Sequence, residues 1–333
     1  MARANWQNWI GAAIILAAAA ATIAFLWRAA GPARGVDDKT VLRVGDQRGG
    51  AQALLTAAGE LHDVPYHIEW DIFPAAAPLL EALGASAIDI GGIGGAPFAF
   101  AYASGLPIRA VHAYRPLGGL SRASAIIVRK DSSLSKVADL KGKRLATIRG
   151  SAGQDLALQL LERGSLKASD VRWVYLPNGD AKAALGAGSI DAWSTWGSYV
   201  GIAVIEDHDR VLADATGIPS GAGFYAASDT AITDKRPLLA DFIRRLARAR
   251  AWAVKHPDDY AKVLAREIGI PFKVARFSVN GVLGEGVPID APLIAEQDRI
   301  FERYVRAGII PKVPDVHAGY DGTFNDAVRD AAR

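Results

Sequence analysis

Three regimes of hydrophobic patterning divide the chain. The first is an apolar run from Ile10 to Trp27 that no charged residue interrupts. At helical rise it is about 27 Å long, enough to span bilayer hydrocarbon, and it predicts an export signal or a membrane anchor. Trp6, Trp9 and Trp27 stand where interfacial aromatics belong. Gly31-Pro32-Ala33 is the more tolerable of two poor cleavage sites, so a cleaved peptide and a retained anchor both stay open. Residues 31–39 then read as a linker.

In the second regime short strand-like runs alternate with helical ones. Strands are expected at 41–44, 67–73, 87–90, 109–113, 125–128, 171–176 and 189–193, with another leading to Ile148. This is the βαβ pattern of an α/β fold with a mostly parallel sheet. Two blocks share one order: strand, Gly-rich loop, helix, strand, helix, then an Ile-Asp strand (Ala87–Ile90 and Ser189–Trp193). The echo predicts two similar lobes rather than a short-period repeat. In the third regime, after Gly223-Phe-Tyr-Ala226, the chain turns helical. Leu239, Phe242, Ile243 and Leu246 hold helical spacing, and Arg244, Arg245, Arg248 and Arg250 are expected on a solvated face. Further helices are predicted over about 258–268, 271–281 and 290–306. The expected division is 1–35 for signal or anchor plus linker, 40–128 with 226–333 for lobe 1, and 129–225 for lobe 2.

Composition supports two lobes, because 333 residues exceed the size at which one core stops growing. Arg3, Arg28 and Arg34 account for the whole net charge of +3, so the body is neutral and has no general attraction for nucleic acid. The chain has no cysteine, which excludes a disulfide framework, a thiolate nucleophile and a lipid-modified N-terminal cysteine.

Three Gly-rich loops, at 45–50, 91–96 and 149–154, follow strands and precede helices. Ligands of open α/β sheets bind beyond the carboxyl ends of strands, where helix N-termini offer N–H groups and a positive dipole end to anions. None of the loops is a nucleotide fingerprint. Ile190-Asp-Ala-Trp-Ser-Thr-Trp-Gly-Ser-Tyr199 supplies aromatics for a pocket wall, with Trp196 favoured for the cleft and Trp193 divided between cleft and core. Gly223-Phe-Tyr225 is a second candidate wall. The six histidines are scattered without metal-ligand spacing, no Gly-x-Ser-x-Gly elbow occurs, and no cofactor or metal is expected. Asp89 and Asp191 are expected to hydrogen-bond neighbouring backbone.

Residues 41–315 resemble the periplasmic binding proteins of aliphatic sulfonate, taurine and nitrate ABC importers, nearest the alkanesulfonate branch. The matching pieces are Gly45-Asp-Gln-Arg-Gly49, Phe73-Pro74 with Leu80-Glu-Ala-Leu83, Ile88-Asp-Ile-Gly91, Val137-Ala-Asp-Leu-Lys-Gly142, Arg149-Gly-Ser151, Ile190-Asp-Ala-Trp193 with Trp196, and Gly223-Phe-Tyr225. The resemblance implies a type II periplasmic-binding fold whose lobes close on a ligand, with crossings near Ile127–Arg129 and Phe224–Ala227. It implies ligand contacts from Gln47, Gly94, Gly150, Ser151 and Trp196; charge adds Arg48, and the second aromatic wall adds Phe224. Implied partners are a small organic anion, a permease and a cytoplasmic ATPase, with the protein monomeric in the periplasm. Two departures stand out: Ile93-Gly94-Gly95 replaces the family's Thr-Gly-Asp, and Trp196-Gly-Ser-Tyr199 replaces Trp-Asp-Pro-Tyr. Both remove a carboxylate and are expected to enlarge the cleft for a bulkier or more negatively charged ligand. An enzyme on the same fold and an anchored sensing ectodomain are the alternatives.

Overall fold

The computed structural model describes residues 40–117, 123–218 and 221–331, and the apolar run at 10–27 lies outside them. No helix of the described residues is long and apolar enough to cross a membrane. Sheet 1 contains β1 (Val41–Gln47), β2 (His67–Phe73), β3 (Ile90–Gly94), β4 (Ile108–Pro116), β10 (Gly223–Ser228) and β11 (Gly284–Val287), ordered β11-β4-β10-β3-β1-β2. Sheet 2 contains β5 (Ser124–Val128), β6 (Arg144–Thr147), β7 (Arg172–Tyr175), β8 (Ala192–Trp196) and β9 (Arg210–Asp214), ordered β7-β6-β8-β5-β9. Without β11 the two orders correspond strand for strand, which is the echo heard in the sequence. The fourth place in each is taken by a strand that has just changed sheet, β10 in one and β5 in the other.

Those two strands also make the sheets mixed rather than mostly parallel. β1–β3, β6–β7 and β6–β8 pair in parallel, but β10 lies antiparallel to β3 and β4, and β5 lies antiparallel to β8 and β9. A parallel partner needs a crossover through a helix, and these strands arrive directly from the other sheet. The changes of sheet fall between Pro116 and Ser124 and between Asp214 and Gly223, ahead of the crossings expected at Ile127–Arg129 and Phe224–Ala227. Residues 124–128 therefore belong with sheet 2, and all of β10 with sheet 1. Both strands are buried at every position, so their hydropathy carries no mark of which sheet they join.

The Ile-Asp segments precede their strands rather than lying within them. Asp89 accepts the Arg43 N–H at 2.7 Å and donates its own N–H to the Arg43 carbonyl at 2.8 Å. Asp191 repeats the pattern with Arg144 at 2.7 and 3.0 Å. The aspartates thus bond neighbouring backbone as expected, and each also holds a cation. Lys235 Nζ lies 3.0 Å from Asp89, with the two side chains 4% and 5% exposed. The Arg144 guanidinium grips Asp191 at 2.9 and 3.1 Å and lowers its carboxyl below the usual range.

Sheet 1 is covered on both faces. On one side α1 (Gly50–Ala57), α8 (Arg236–Lys255) and α9 (Pro257–Ile268) bury Leu42, Val44, Leu54, Tyr225, Leu239 and Phe242. On the other, α2 (Ala76–Gly84), α3 (Gly95–Ala103) and α11 (Ala291–Arg306) bury Leu79, Phe98, Phe224 and Phe301. Leu239, Phe242, Ile243 and Leu246 form the predicted stripe of α8. The arginine face is not uniformly solvated, however, because α8 is also packed along its flank. Arg245 is buried, pairing with Asp241 at 2.7 Å and donating to the carbonyls of Glu60, His62 and Asp63. Arg250 is buried too, its guanidinium over the Tyr114 ring.

The Asp89–Lys235 pair yields a stability prediction. Lys235→Met leaves the buried Asp89 carboxylate with only the Arg43 guanidinium at 3.7 Å as a cation, so it should lower the unfolding free energy by about 3 kcal/mol in urea titration. Asp191→Asn, at the corresponding but more exposed position, should cost clearly less. Equal losses would contradict this reading.

Candidate functional site

Three strand-to-helix junctions open onto one cavity of about 610 Å³. At the first, β1 runs to Gln47, Arg48 and Gly49 take left-handed backbone at φ 56° and 75°, and α1 begins at Gly50. Asp46 accepts the N–H groups of Ala51 at 3.0 Å and Gln52 at 2.8 Å, so a carboxylate already occupies this helix start. Burial pushes the Asp46 carboxyl up to about 6, against the opposing pull of those N–H groups.

At the second junction the expected loop at 91–96 is absent: residues 90–94 are strand β3, and α3 starts at once from Gly95. Side chains lie where a Cβ would project, with Leu79 at 2.7 Å from that point on Gly91 and Gln297 at 2.7 Å on Gly95. Glycine therefore serves close packing of a strand here, not a flexible turn. No side chain caps α3, and Gly94, Gly95 and Ala96 at its start line the cavity.

At the third, Ser151 caps α4 (Ala152–Arg163), its hydroxyl accepting the Gln154 N–H at 3.2 Å. Gly150 has φ 70° and donates its N–H to Gln154 Oε1 at 2.7 Å. A Cβ on Gly150 would stand 2.4 Å from the Phe100 ring of α3, so this glycine lets the two lobes meet. Other contacts cross the same gap. Arg48 lies over the Tyr199 ring at 4.5 Å, Tyr304 donates to the Ser151 carbonyl at 3.3 Å, and Arg303 pairs with Asp155 at 2.5 Å.

Gln47, Arg48, Gly94, Gly150, Ser151 and Trp196 all line the cavity. Gln47 Nε2 donates to the Gly92 carbonyl at 2.7 Å, and Trp196 is half-buried at the end of β8. Phe224 does not belong with them. It is fully buried against Phe98 and Tyr320, because strand alternation turns Gly223 and Tyr225 toward the cavity and Phe224 to the opposite face. Trp193 is likewise core, its Nε1 donating to Asn178 at 3.3 Å.

The two departures from the family pattern differ in effect. At Gly95 the space is filled by Gln297, Ile300 and the Ala222 carbonyl, and Ile93 is core, so nothing opens there. At Gly197, by contrast, nothing beyond its chain neighbours lies within 4 Å of the Cβ position, so the space a side chain would take there is open. Of the second candidate wall, Gly223 and Tyr225 line the cavity; sequence reasoning missed Asp46, Tyr114 and Arg250, which line it too. The aspartate had a signal, an acidic residue just ahead of a helix start; Arg250 had none, since its spacing matches that of exposed arginines.

The NMT1/THI5-like family pattern matches residues 72–260. The alkanesulfonate-binding protein SsuA from Xanthomonas axonopodis pv. citri, solved bound to MOPS, is 29% identical; the alignment covers 85% of this chain and 98% of that one, with a TM-score of 0.78. The periplasmic aliphatic sulphonate binding protein SsuA from Escherichia coli is 28% identical over 84% of this chain and 91% of that one, with a TM-score of 0.73. The desulfurization enzyme DSZB shares the fold at 16% identity and a TM-score of 0.63, over 88% of this chain and 99% of that one. The fold is thus that of the periplasmic binding proteins, and with more than half its length matched the chain belongs to the NMT1/THI5-like family.

Proposed function

We propose that the chain is the extracytoplasmic solute-binding component of an ABC importer, capturing a small organic anion of the aliphatic sulfonate class and delivering it to a permease. One observation carries this reading: α3 from one lobe and α4 from the other both begin on the same cavity. Each helix start offers N–H donors that its own helix cannot use, together with the positive dipole end. A sulfonate has three acceptor oxygens and one charge, which suits donors that come from both sides and carry no full charge. An anion held this way bridges the lobes and favours their closed arrangement.

Capture is better supported than turnover. Among the described lining residues there is no histidine and no cysteine to act as base or nucleophile. The apolar run at 10–27 supports delivery to the periplasm, where the monomer is either cleaved free or tethered by that run.

In a thermal-shift screen, alkanesulfonates should raise the melting temperature, with about 2.7 kcal/mol of stabilisation at 100 times the dissociation constant. Trp196→Ala should weaken that response. Absence of any shift with sulfonates, nitrate, sulfate esters and carboxylates, alongside turnover of one of them, would overturn the proposal.

Asp46 gives a pH dependence. Its folded value of about 6 lies above the ordinary 3.8, so the folded state binds more protons between them and stability falls as pH rises through that window. Above pH 6 the carboxylate also repels an anion in the cavity. Affinity for a simple alkanesulfonate, charged throughout, should therefore improve as pH drops from 8 to 5, by roughly fivefold for about 1 kcal/mol of repulsion. Calorimetry should show this trend in the natural chain and lose it in Asp46→Asn; an unchanged trend in the variant would exclude Asp46 as its source.

A further inference from the structure

The cavity continues past the helix starts into a chamber bounded by α1, α9 and α10 (Phe272–Val282), lined there by Leu54, Leu264 and Val282. Its polar wall is Arg250 of α8 with Tyr114 and Tyr225. Arg250 is 8% exposed, and its guanidinium carbon lies 3.3 Å from the Tyr114 ring centroid and 5.9 Å from that of Tyr225. The buried Nε has no hydrogen-bond partner. What sets Arg250 apart is the lack of a carboxylate partner: Arg245, also buried, is answered by Asp241 and three carbonyls, and the half-buried Arg303, whose Nε is likewise unpartnered, by Asp155. Around Arg250 the structure instead places tyrosines, with the Tyr225 hydroxyl abutting it. Asp46, on the same cavity wall, is engaged with the start of α1.

A buried charge without a counter-ion is unfavourable, and ring faces offset only part of that cost. The side of Arg250 that remains open is the cavity. We propose that Arg250 seats a second acidic group, so that the ligand is an organic dianion: a sulfonate whose far end carries a carboxylate. This rests on the anion-capture reading given above and narrows it to a substrate class. The planar guanidinium suits bidentate grip of a carboxylate, and the chamber's apolar side chains suit the carbon chain between the two acids.

The test uses the full chain and calorimetric titration with sulfonates matched in carbon number, each ending in methyl, hydroxyl or carboxylate. The carboxylate-ended probe should bind at least roughly tenfold tighter than its methyl-ended partner, the scale of one charge-assisted bidentate contact. Arg250→Gln should abolish that ratio. If this variant does not fold, a crystal structure of the natural chain with the carboxylate probe decides: the carboxylate on Arg250 supports the proposal, and the carboxylate elsewhere overturns it. Methyl-ended probes binding as well as carboxylate-ended ones would sink the dianion while leaving anion capture intact. Failure of every probe to bind would overturn both.

Discussion

Helices α3 and α4 each begin with backbone N–H groups that no carbonyl of their own helix can satisfy, and the two-sheet frame aims both at one space. The rest of the structure can be understood from that arrangement. Gly95 leaves room for the Gln297 amide where a Cβ would project, and α3 starts there directly from its strand. Gly150 is forced by Phe100 of the opposite lobe, which brings α4 against α3. The first junction shows the alternative outcome: Asp46 supplies its own anion to α1, so that helix start is internally satisfied and does not need a ligand.

Charge placement around the cavity separates structural groups from recognition groups. Asp89 and Asp191 hold equivalent positions in the two lobes, and each ties a strand end to its neighbour's backbone and to a cation. Asp155 and Arg303 neutralise each other across the lobes. These pairs set the frame and leave the cavity's field to the helix starts, to Asp46 and Glu81 and to Arg48, Arg149 and Arg250.

Much of this was readable in the sequence, for definite reasons. The doubled order of strand, glycine and helix survives as two sheets of corresponding strand order, because each lobe must bury the same kind of apolar runs. Gln47, Gly94, Gly150, Ser151 and Trp196 sit at strand ends, where topology alone places them on the cleft. Three features were not legible. The changes of sheet could not be located because β5 and β10 are buried on both faces wherever they are placed. Phe224 was assigned to the wrong face because alternation fixes relative sides but not which side faces the cavity. Arg250 read as solvated because its burial depends on Tyr114, distant in sequence and brought to it only by sheet pairing.

The central claim is that an anion sits between the starts of α3 and α4. The chain has one methionine and no cysteine, so a bound sulfonate is one of at most two sulfur atoms per chain and is readily assigned. The direct measurement is sulfur anomalous scattering from crystals grown with a short alkanesulfonate. The account predicts one ligand sulfur within hydrogen-bonding reach of the first turns of both helices, near Gly95 and Ala152. A sulfur peak touching only one lobe, or lying outside the cavity, would contradict it.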